Sequence, residues 1–244
     1  MQETDATQPS ALGGNPTAKL LRDLPPSGGS PTSPPPQGGS SGIMGTINSA
    51  IALVRNPAKF IEANKDTPTT VSAIMLKYVA VLAVIPFVAT LIGNLWFYAL
   101  FVPFGFGLGG SLYAYAFVAA ILYYILDIVA VYVISIVIKM LAPTFNSTAD
   151  QIKSLKLAAY IYTPVFLISI LYIIPIVSIL VILGVLYGLY ILYIGLPIML
   201  ATPKEKALTY VIVVVIATFV IYLVIGAIIG AATAAFLIRS FAYY

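Results

Sequence analysis

Residues 157–200 read LAAYIYTPVFLISILYIIPIVSILVILGVLYGLYILYIGLPIML, a stretch without a single charged side chain. As one α-helix this stretch would measure about 66 Å at 1.5 Å per residue, whereas the hydrocarbon core of a bilayer is about 30 Å thick. The stretch must therefore cross the membrane twice, and Pro175 lies where the chain can turn back. We predict a third span at 157–174 and a fourth span at 177–200.

Three further apolar stretches, at 71–100, 112–141 and 207–238, are each long enough to cross a bilayer. Runs of this length and uniform hydrophobicity are helices rather than barrel strands. The predicted fold is therefore all-α: a polytopic membrane protein whose five transmembrane helices occupy the domain 67–239.

Composition supports this prediction and excludes several classes of function. Hydrophobic residues make up 61% of the chain and charged residues 8%, whereas soluble domains carry about 25% charged residues. The net charge of +4 comes without a dense basic patch, so no nucleic-acid partner is predicted. Cysteine and histidine are absent, which removes thiolate and imidazole chemistry. We predict no enzyme activity, no cofactor and no metal site.

Two segments precede the spans. Residues 1–42 are polar and rich in Pro, Gly and Ser, and they are predicted to be a disordered cytoplasmic tail. Residues 43–66 are predicted to form short amphipathic helices that lie in the membrane interface. The alternative, which is compatible with the first, is that these helices cap the inner ends of the spans. The apolar face of the first helix is formed by Ile43, Ile47, Ala50, Ile51 and Val54.

The positive charges predict the orientation. Five spans place the termini on opposite sides, and the side of the N-terminus then receives all lysines and arginines except Arg239. Because cytoplasmic segments are enriched in Lys and Arg, we predict that the N-terminus is cytoplasmic. The predicted location of the protein is the cell membrane. Residues 240–244 are then external. The side of the N-terminus carries Lys19, Arg22, Arg55, Lys59, Lys65, Lys77, Lys139, Lys153, Lys156, Lys204 and Lys206.

Asp127 is the one acidic residue deep within a span. A carboxylate there is costly unless it is paired, hydrated or protonated. It is either an ion or proton site or a structural acid that ties helices together. The candidate polar site comprises Asp127, Tyr123, Tyr124 and Tyr162.

Glycines and prolines of the spans predict helix packing and kinks. Small residues at GxxxG spacing allow close helix contact, either within one chain or between two copies. Proline inside a helix kinks it, and neighbouring groups must then satisfy the freed carbonyl. The predicted packing positions are Gly184, Gly188, Gly195, Gly226 and Gly230, and the predicted kinks or turns are Pro86, Pro164 and Pro175.

Three pieces of the chain resemble the Yip-domain family, named for Ypt/Rab-interacting proteins. They are Arg55–Asn56–Pro57–Ala58–Lys59–Phe60, similar to the "NPxxFF" pattern; Leu157–Ala158–Ala159–Tyr160–Ile161–Tyr162–Thr163–Pro164, similar to "AYS–P"; and the coupled third and fourth spans around Pro175 that end in Tyr190–Ile191–Leu192–Tyr193–Ile194–Gly195–Leu196. The resemblance covers about residues 43–230.

The resemblance implies five spans and a cytoplasmic N-terminus. Eukaryotic members sit in early secretory membranes, bind small GTPases of the Rab type and influence vesicle traffic and membrane shape. The tail of this chain lacks their DLYGP motif, so GTPase binding is not carried over. The chain is more similar to bacterial or archaeal members.

Three functions follow as hypotheses. The first is a non-enzymatic Yip-type protein that organises the bilayer or acts as an adaptor, with a cytoplasmic protein partner bound through the N-terminal region. The second is a small transporter or channel that uses Asp127. The third is a subunit of a larger membrane complex or a homo-oligomer.

Overall fold

The computed structural model describes residues 42–101 and 109–242, and within these ranges the chain is helical and contains no β-strand. Five of the helices are long and apolar enough to cross a membrane, which confirms the predicted all-α class and the number of spans. The predicted tail, 1–42, lies outside the described residues except for Gly42. The predicted spans are found as Ala73–Leu100, Tyr113–Phe145, Gln151–Ile173, Pro175–Leu200 and Lys204–Ala235.

Seven α-helices make up the described chain. They are α1 (Ile43–Arg55), α2 (Pro57–Asn64), α3 (Ala80–Phe101), α4 (Gly109–Leu141), α5 (Gln151–Ile168), α6 (Val181–Leu200) and α7 (Lys204–Ala242). A π-helix and three 3-10 segments complete the structure. The π-helix is Ala73–Val79, directly before α3, and the 3-10 segments are Ala142–Phe145, Ser169–Ile173 and Pro175–Leu180.

The central helix of the bundle is α5. In its most apolar window 56% of the residues are buried, against 33% or less in the other spans. It contacts α3, α4 and α6, and α7 packs against α4 and α6. Because α5 is largely covered by protein, most of its side chains face other helices rather than lipid.

Close contact between α5 and α6 depends on two glycines. A Cβ atom on Gly184 would lie 3.0 Å from the carbonyl oxygen of Pro164, and one on Gly188 would lie 2.6 Å from the carbonyl oxygen of Ile161. Separations this short are below van der Waals contact. Glycine at both positions therefore lets the two backbones approach each other.

The chain turns back between α5 and α6 at Ile174 and Pro175. Ile174 is extended, with φ −115° and ψ 101°, and it separates the two 3-10 segments. Proline disfavours the helical conformation in the residue that precedes it, which explains why the helix stops at this position. The reversal occurs at the proline from which the sequence predicted it.

Some helices extend beyond the predicted spans. The third spanning helix begins at Gln151 rather than at residue 157, because Asp150 caps it: its Oδ1 accepts the backbone N–H of Lys153 at 2.7 Å. The last helix, α7, extends past 207–238 at both ends, so that residues 240–242 are helical. The terminal turns contain polar and charged residues, so the apolar stretches from which the spans were predicted end before the helices do.

The short helices α1 and α2 fold onto one end of the bundle. Ala50, Leu53 and Ile61 are fully buried in the main hydrophobic core. The hydroxyl of Tyr187 in α6 donates to the carbonyl of Val54 at 2.7 Å. Met44 and Ile51, by contrast, remain 66% and 38% exposed. The pair therefore packs on the spans with one face and leaves apolar side chains on another.

We call the end of the bundle that carries α1 and α2 the basic end. It includes Lys77, whose carbonyl accepts the Thr46 hydroxyl at 2.8 Å, and Lys153, whose Nζ lies 3.6 Å from Oδ1 of Asp66. The ends of α4 and α6 and the start of α7 also meet there, since Ser147 donates to the Thr202 hydroxyl at 2.8 Å. The described lysines of the spans and loops thus gather at one end.

Candidate functional site

A cavity of about 580 Å³ lies among α3, α4, α5, α7 and the two 3-10 segments at the turn. Asp127, near the middle of α4, is the only charged side chain among the described residues that line it. Most of the other polar lining groups are phenols. The tyrosines of this polar cavity are Tyr98, Tyr115, Tyr123, Tyr172 and Tyr222.

One face of α4 supplies the carboxylate. Tyr115, Ala119, Tyr123 and Asp127 follow one another at four-residue spacing and all line the cavity. Residues at this spacing lie on the same side of an α-helix. Ala119 is almost fully buried, and its small side chain leaves room between the two flanking tyrosines.

One face of α3 forms the opposite wall. Pro86, Thr90, Asn94 and Tyr98 also follow at four-residue spacing, and all four line the cavity. Pro86 lies inside the helix, where it cannot donate a backbone hydrogen bond. The predicted kink position is thus part of the cavity wall, beside polar side chains of the same helix.

The turn between α5 and α6 closes the cavity against α3. A Cβ atom on Gly93 would collide with the backbone carbonyl of Tyr172, so glycine allows the 3-10 segment to approach α3. The hydroxyls of Ser169 and Ser178 each donate to a carbonyl three residues earlier, at 2.6 Å. Both serines line the cavity, but their hydroxyls form hydrogen bonds within their own turns.

Two tyrosines that sequence reasoning missed, Tyr172 and Tyr222, line the same cavity as Asp127. Tyr123 of the predicted site lines the cavity with them. Tyr172 follows α5, and Tyr222 belongs to α7. Tyr123, Tyr172 and Tyr222 thus bring phenol groups from three different spans into the cavity that contains Asp127.

The predicted site residues Tyr162 and Tyr124 have different positions. Tyr162 is buried in the main hydrophobic core and does not line the cavity. Tyr124 does not line the cavity: its hydroxyl donates to the carbonyl of Ala80 at 3.2 Å. Its ring also packs edge-on against Phe87, with centroids 5.7 Å apart. Tyr124 thus ties α4 to α3.

The predicted glycine positions divide into two groups. Gly184, Gly188 and Gly195 are buried, and each packs against α5. Gly226 and Gly230 in α7 are exposed, and a Cβ atom there would meet nothing within 4 Å among the described residues. The buried Pro164 lies inside α5, opposite Gly184.

Among the described residues, no group of three or more Asp, Glu, His or Cys side chains could hold a metal ion. Asp127 also forms no ion pair there, since the two ion pairs found are Lys65–Glu62 and Lys153–Asp66. The arrangement of a single carboxyl group among tyrosines suits recognition of a cation or of hydrogen-bond donors better than bond cleavage.

A comparison with protein families finds that the model of the Yip1 domain matches residues 51–226, well over half of the chain. The matched range begins within α1 and ends within α7, so it includes every residue that lines the polar cavity. No curated protein and no solved structure matches the chain significantly.

Proposed function

Because the chain belongs to the Yip1-domain family and is a multi-pass membrane protein, we propose that it organises the membrane around it and catalyses no reaction. The observation that carries this proposal is the position of α1 and α2. They are fixed to the bundle, and they leave apolar side chains uncovered at the basic end. A helix pair held in this way acts as a wedge in one leaflet.

The proposal places the basic end on the cytoplasmic side, as the excess of lysine and arginine favours. The exposed stripe of α1 combines Met44, Asn48, Ile51 and Arg55 at three- to four-residue spacing. Apolar side chains beside an arginine suit the boundary between headgroups and acyl chains, where the guanidinium can reach anionic lipid. Lipid is thus the first partner we propose.

The chain is also proposed to bind a cytoplasmic protein through its N-terminal region, as an adaptor of the trafficking type. The support is the family membership and the polar N-terminal sequence next to α1. Assembly into a homo-oligomer or a larger complex, and the similarity to bacterial or archaeal members, remain predictions from the sequence.

We expect the wedge to change the shape of reconstituted vesicles. The full chain should give smaller, more curved vesicles than the double variant Met44→Ser/Ile51→Ser at equal protein density, because only the native helix expands one leaflet. Cryo-electron microscopy of the vesicles measures their diameters. The double variant Asn48→Ser/Ala58→Ser changes exposed positions without removing large apolar side chains, and it should behave like the native chain. Equal vesicle diameters for all three proteins would contradict the proposal that α1 and α2 act as a wedge.

A second candidate function, transport of a small solute or ion, is favoured by the polar cavity around Asp127. If Asp127 contacts the transported species, Asp127→Asn should reduce flux in proteoliposomes to the level of empty vesicles. Uptake of sodium, potassium, protons and methylammonium, each measured separately, tests this expectation. Tyr124→Phe is the matched control, since its hydroxyl bonds to a carbonyl outside the cavity. Absence of flux in the native chain for all four species contradicts a transport role.

A further inference from the structure

We propose that the polar cavity and an adjoining apolar groove together bind a lipophilic organic cation, with its ammonium group beside Asp127 and its alkyl chain in the groove. This inference deepens the second candidate function, because it names a ligand class for the same cavity. It concerns binding, however, and does not require that the ligand cross the membrane.

The apolar groove has a volume of about 400 Å³ and lies among α4, α5, α6 and α7. Its wall is almost wholly aliphatic or aromatic. The hydroxyl of Thr218, one of the few polar groups in the wall, donates to the carbonyl of Val214 at 2.7 Å. The remaining wall therefore suits an alkyl chain. Members of the wall include Ile161, Val185, Leu189, Leu192, Val215 and Phe219.

The groove and the polar cavity share part of their walls. Val165, Tyr172 and Tyr222 line both spaces. Tyr162 lines the groove together with Tyr172 and Tyr222. The three shared residues therefore place the two spaces next to each other. One elongated molecule with a polar end and an apolar end could occupy both spaces.

The charge of the lining residues indicates which charge the polar end of the ligand carries. Asp127 is the only charged residue that lines the cavity, and neither lysine nor arginine lines the cavity or the groove among the described residues. A carboxylate in such surroundings is best satisfied by a cation. A phosphate or sulfate group would find no positive partner there. The chemistry therefore favours a ligand with net positive charge over a phosphate-bearing lipid.

The rings select an organic ammonium group over a metal ion. Tyr98, Tyr115, Tyr123, Tyr172 and Tyr222 line the cavity together with Phe87. Aromatic faces attract ammonium groups, and cages of such rings bind quaternary ammonium ligands. A metal ion would instead require several converging oxygen ligands, whereas the cavity offers one carboxylate in a volume of about 580 Å³.

The test uses the full chain in nanodiscs of phosphatidylcholine and decyltrimethylammonium as the probe. Equilibrium dialysis against empty nanodiscs of the same lipid separates binding from partitioning into the bilayer. The native chain should bind the probe above this background and should not bind decyl sulfate. In Asp127→Asn, which keeps the shape of the side chain, affinity should fall at least about tenfold. Tyr124→Phe should retain native affinity.

Two further variants keep the proposal testable if Asp127→Asn does not fold. Val185→Trp fills the groove from a half-exposed position, and Tyr172→Leu removes a ring shared by both spaces; each should weaken binding severalfold. Unchanged binding in the folded variants would overturn the proposal. Asp127-dependent binding of decylphosphocholine in preference to the probe would overturn the ligand class. If the chain binds the probe but shows no flux, only the transport function is contradicted. If it shows flux but does not bind the probe, only the proposed binding of a lipophilic cation is contradicted.

Discussion

Replacing Gly188 by alanine should lower the apparent melting temperature of the detergent-solubilised chain by roughly 5 °C, because overpacking of a close contact costs about 1–3 kcal/mol. The new Cβ atom would lie 2.6 Å from the carbonyl oxygen of Ile161. A backbone atom cannot rotate away as the end of a side chain can, so α5 and α6 must separate. Circular dichroism during heating measures the effect.

Gly226→Ala is the matched control, because a Cβ atom there meets nothing within 4 Å among the described residues. Alanine is the better helix former, so this variant should be neutral or slightly more stable. Two results would contradict the structural account: native stability of Gly188→Ala, or equal destabilisation by both substitutions. Equal destabilisation would instead indicate that α7 packs on another molecule through Gly226.

Replacing Lys156 by methionine should make the segment that connects α2 to the first span more mobile. The ammonium group of Lys156 donates to the carbonyl oxygens of Asn64 at 2.9 Å, of Lys65 at 3.4 Å and of Thr67 at 2.7 Å. These carbonyls lie at and beyond the C-terminus of α2, where no helical donor remains. Loss of these buried, charge-assisted hydrogen bonds should lower the free energy of unfolding by about 2–3 kcal/mol.

Hydrogen–deuterium exchange of residues 64–70, followed by mass spectrometry, measures that release directly. Methionine keeps much of the length of the lysine stem, so the change isolates the ammonium group. Lys153→Met is the control: it removes only an exposed ion pair with Asp66 at 3.6 Å, which should contribute less than about 1 kcal/mol. If exchange rises equally in both variants, the three carbonyl contacts do not hold the segment.

The number of spans followed from the sequence because length alone decides it. The uncharged stretch at 157–200 is too long for one crossing, and proline marks where its helix can stop. The helix ends were harder to place. The first turn of α5 contains Lys153 and Ser154, so it resembles a loop by composition even though Asp150 caps it as a helix.

The candidate site was only partly predictable. Asp127 attracts notice because a charge within a span is rare and costly. Tyr172 and Tyr222 gave no such signal, since they join Asp127 only after the helices pack. The four-residue repeat of Pro86, Thr90, Asn94 and Tyr98 was a usable signal, because polar residues at that spacing share one helix face.

The two GxxxG pairs show a second limit of local patterns. Gly184 and Gly188 pack against α5, whereas a Cβ atom on Gly226 or Gly230 would meet nothing within 4 Å among the described residues. The motif indicates only that another helix can pack closely against the helix that carries it. Which helix approaches it depends on the arrangement of the whole bundle, which the spacing of two glycines does not contain.

The π-helix Ala73–Val79 sets the rotational phase of α3. Its backbone bonds span five residues instead of four, so it accommodates an extra residue compared with an unbroken α-helix. One residue of an α-helix corresponds to about 100° of rotation. Before this segment, the ammonium group of Lys156 holds the carbonyl of Thr67 at the basic end; after it, Asn94 lines the polar cavity. An unbroken α-helix held at the same anchor would turn Asn94 away from Asp127.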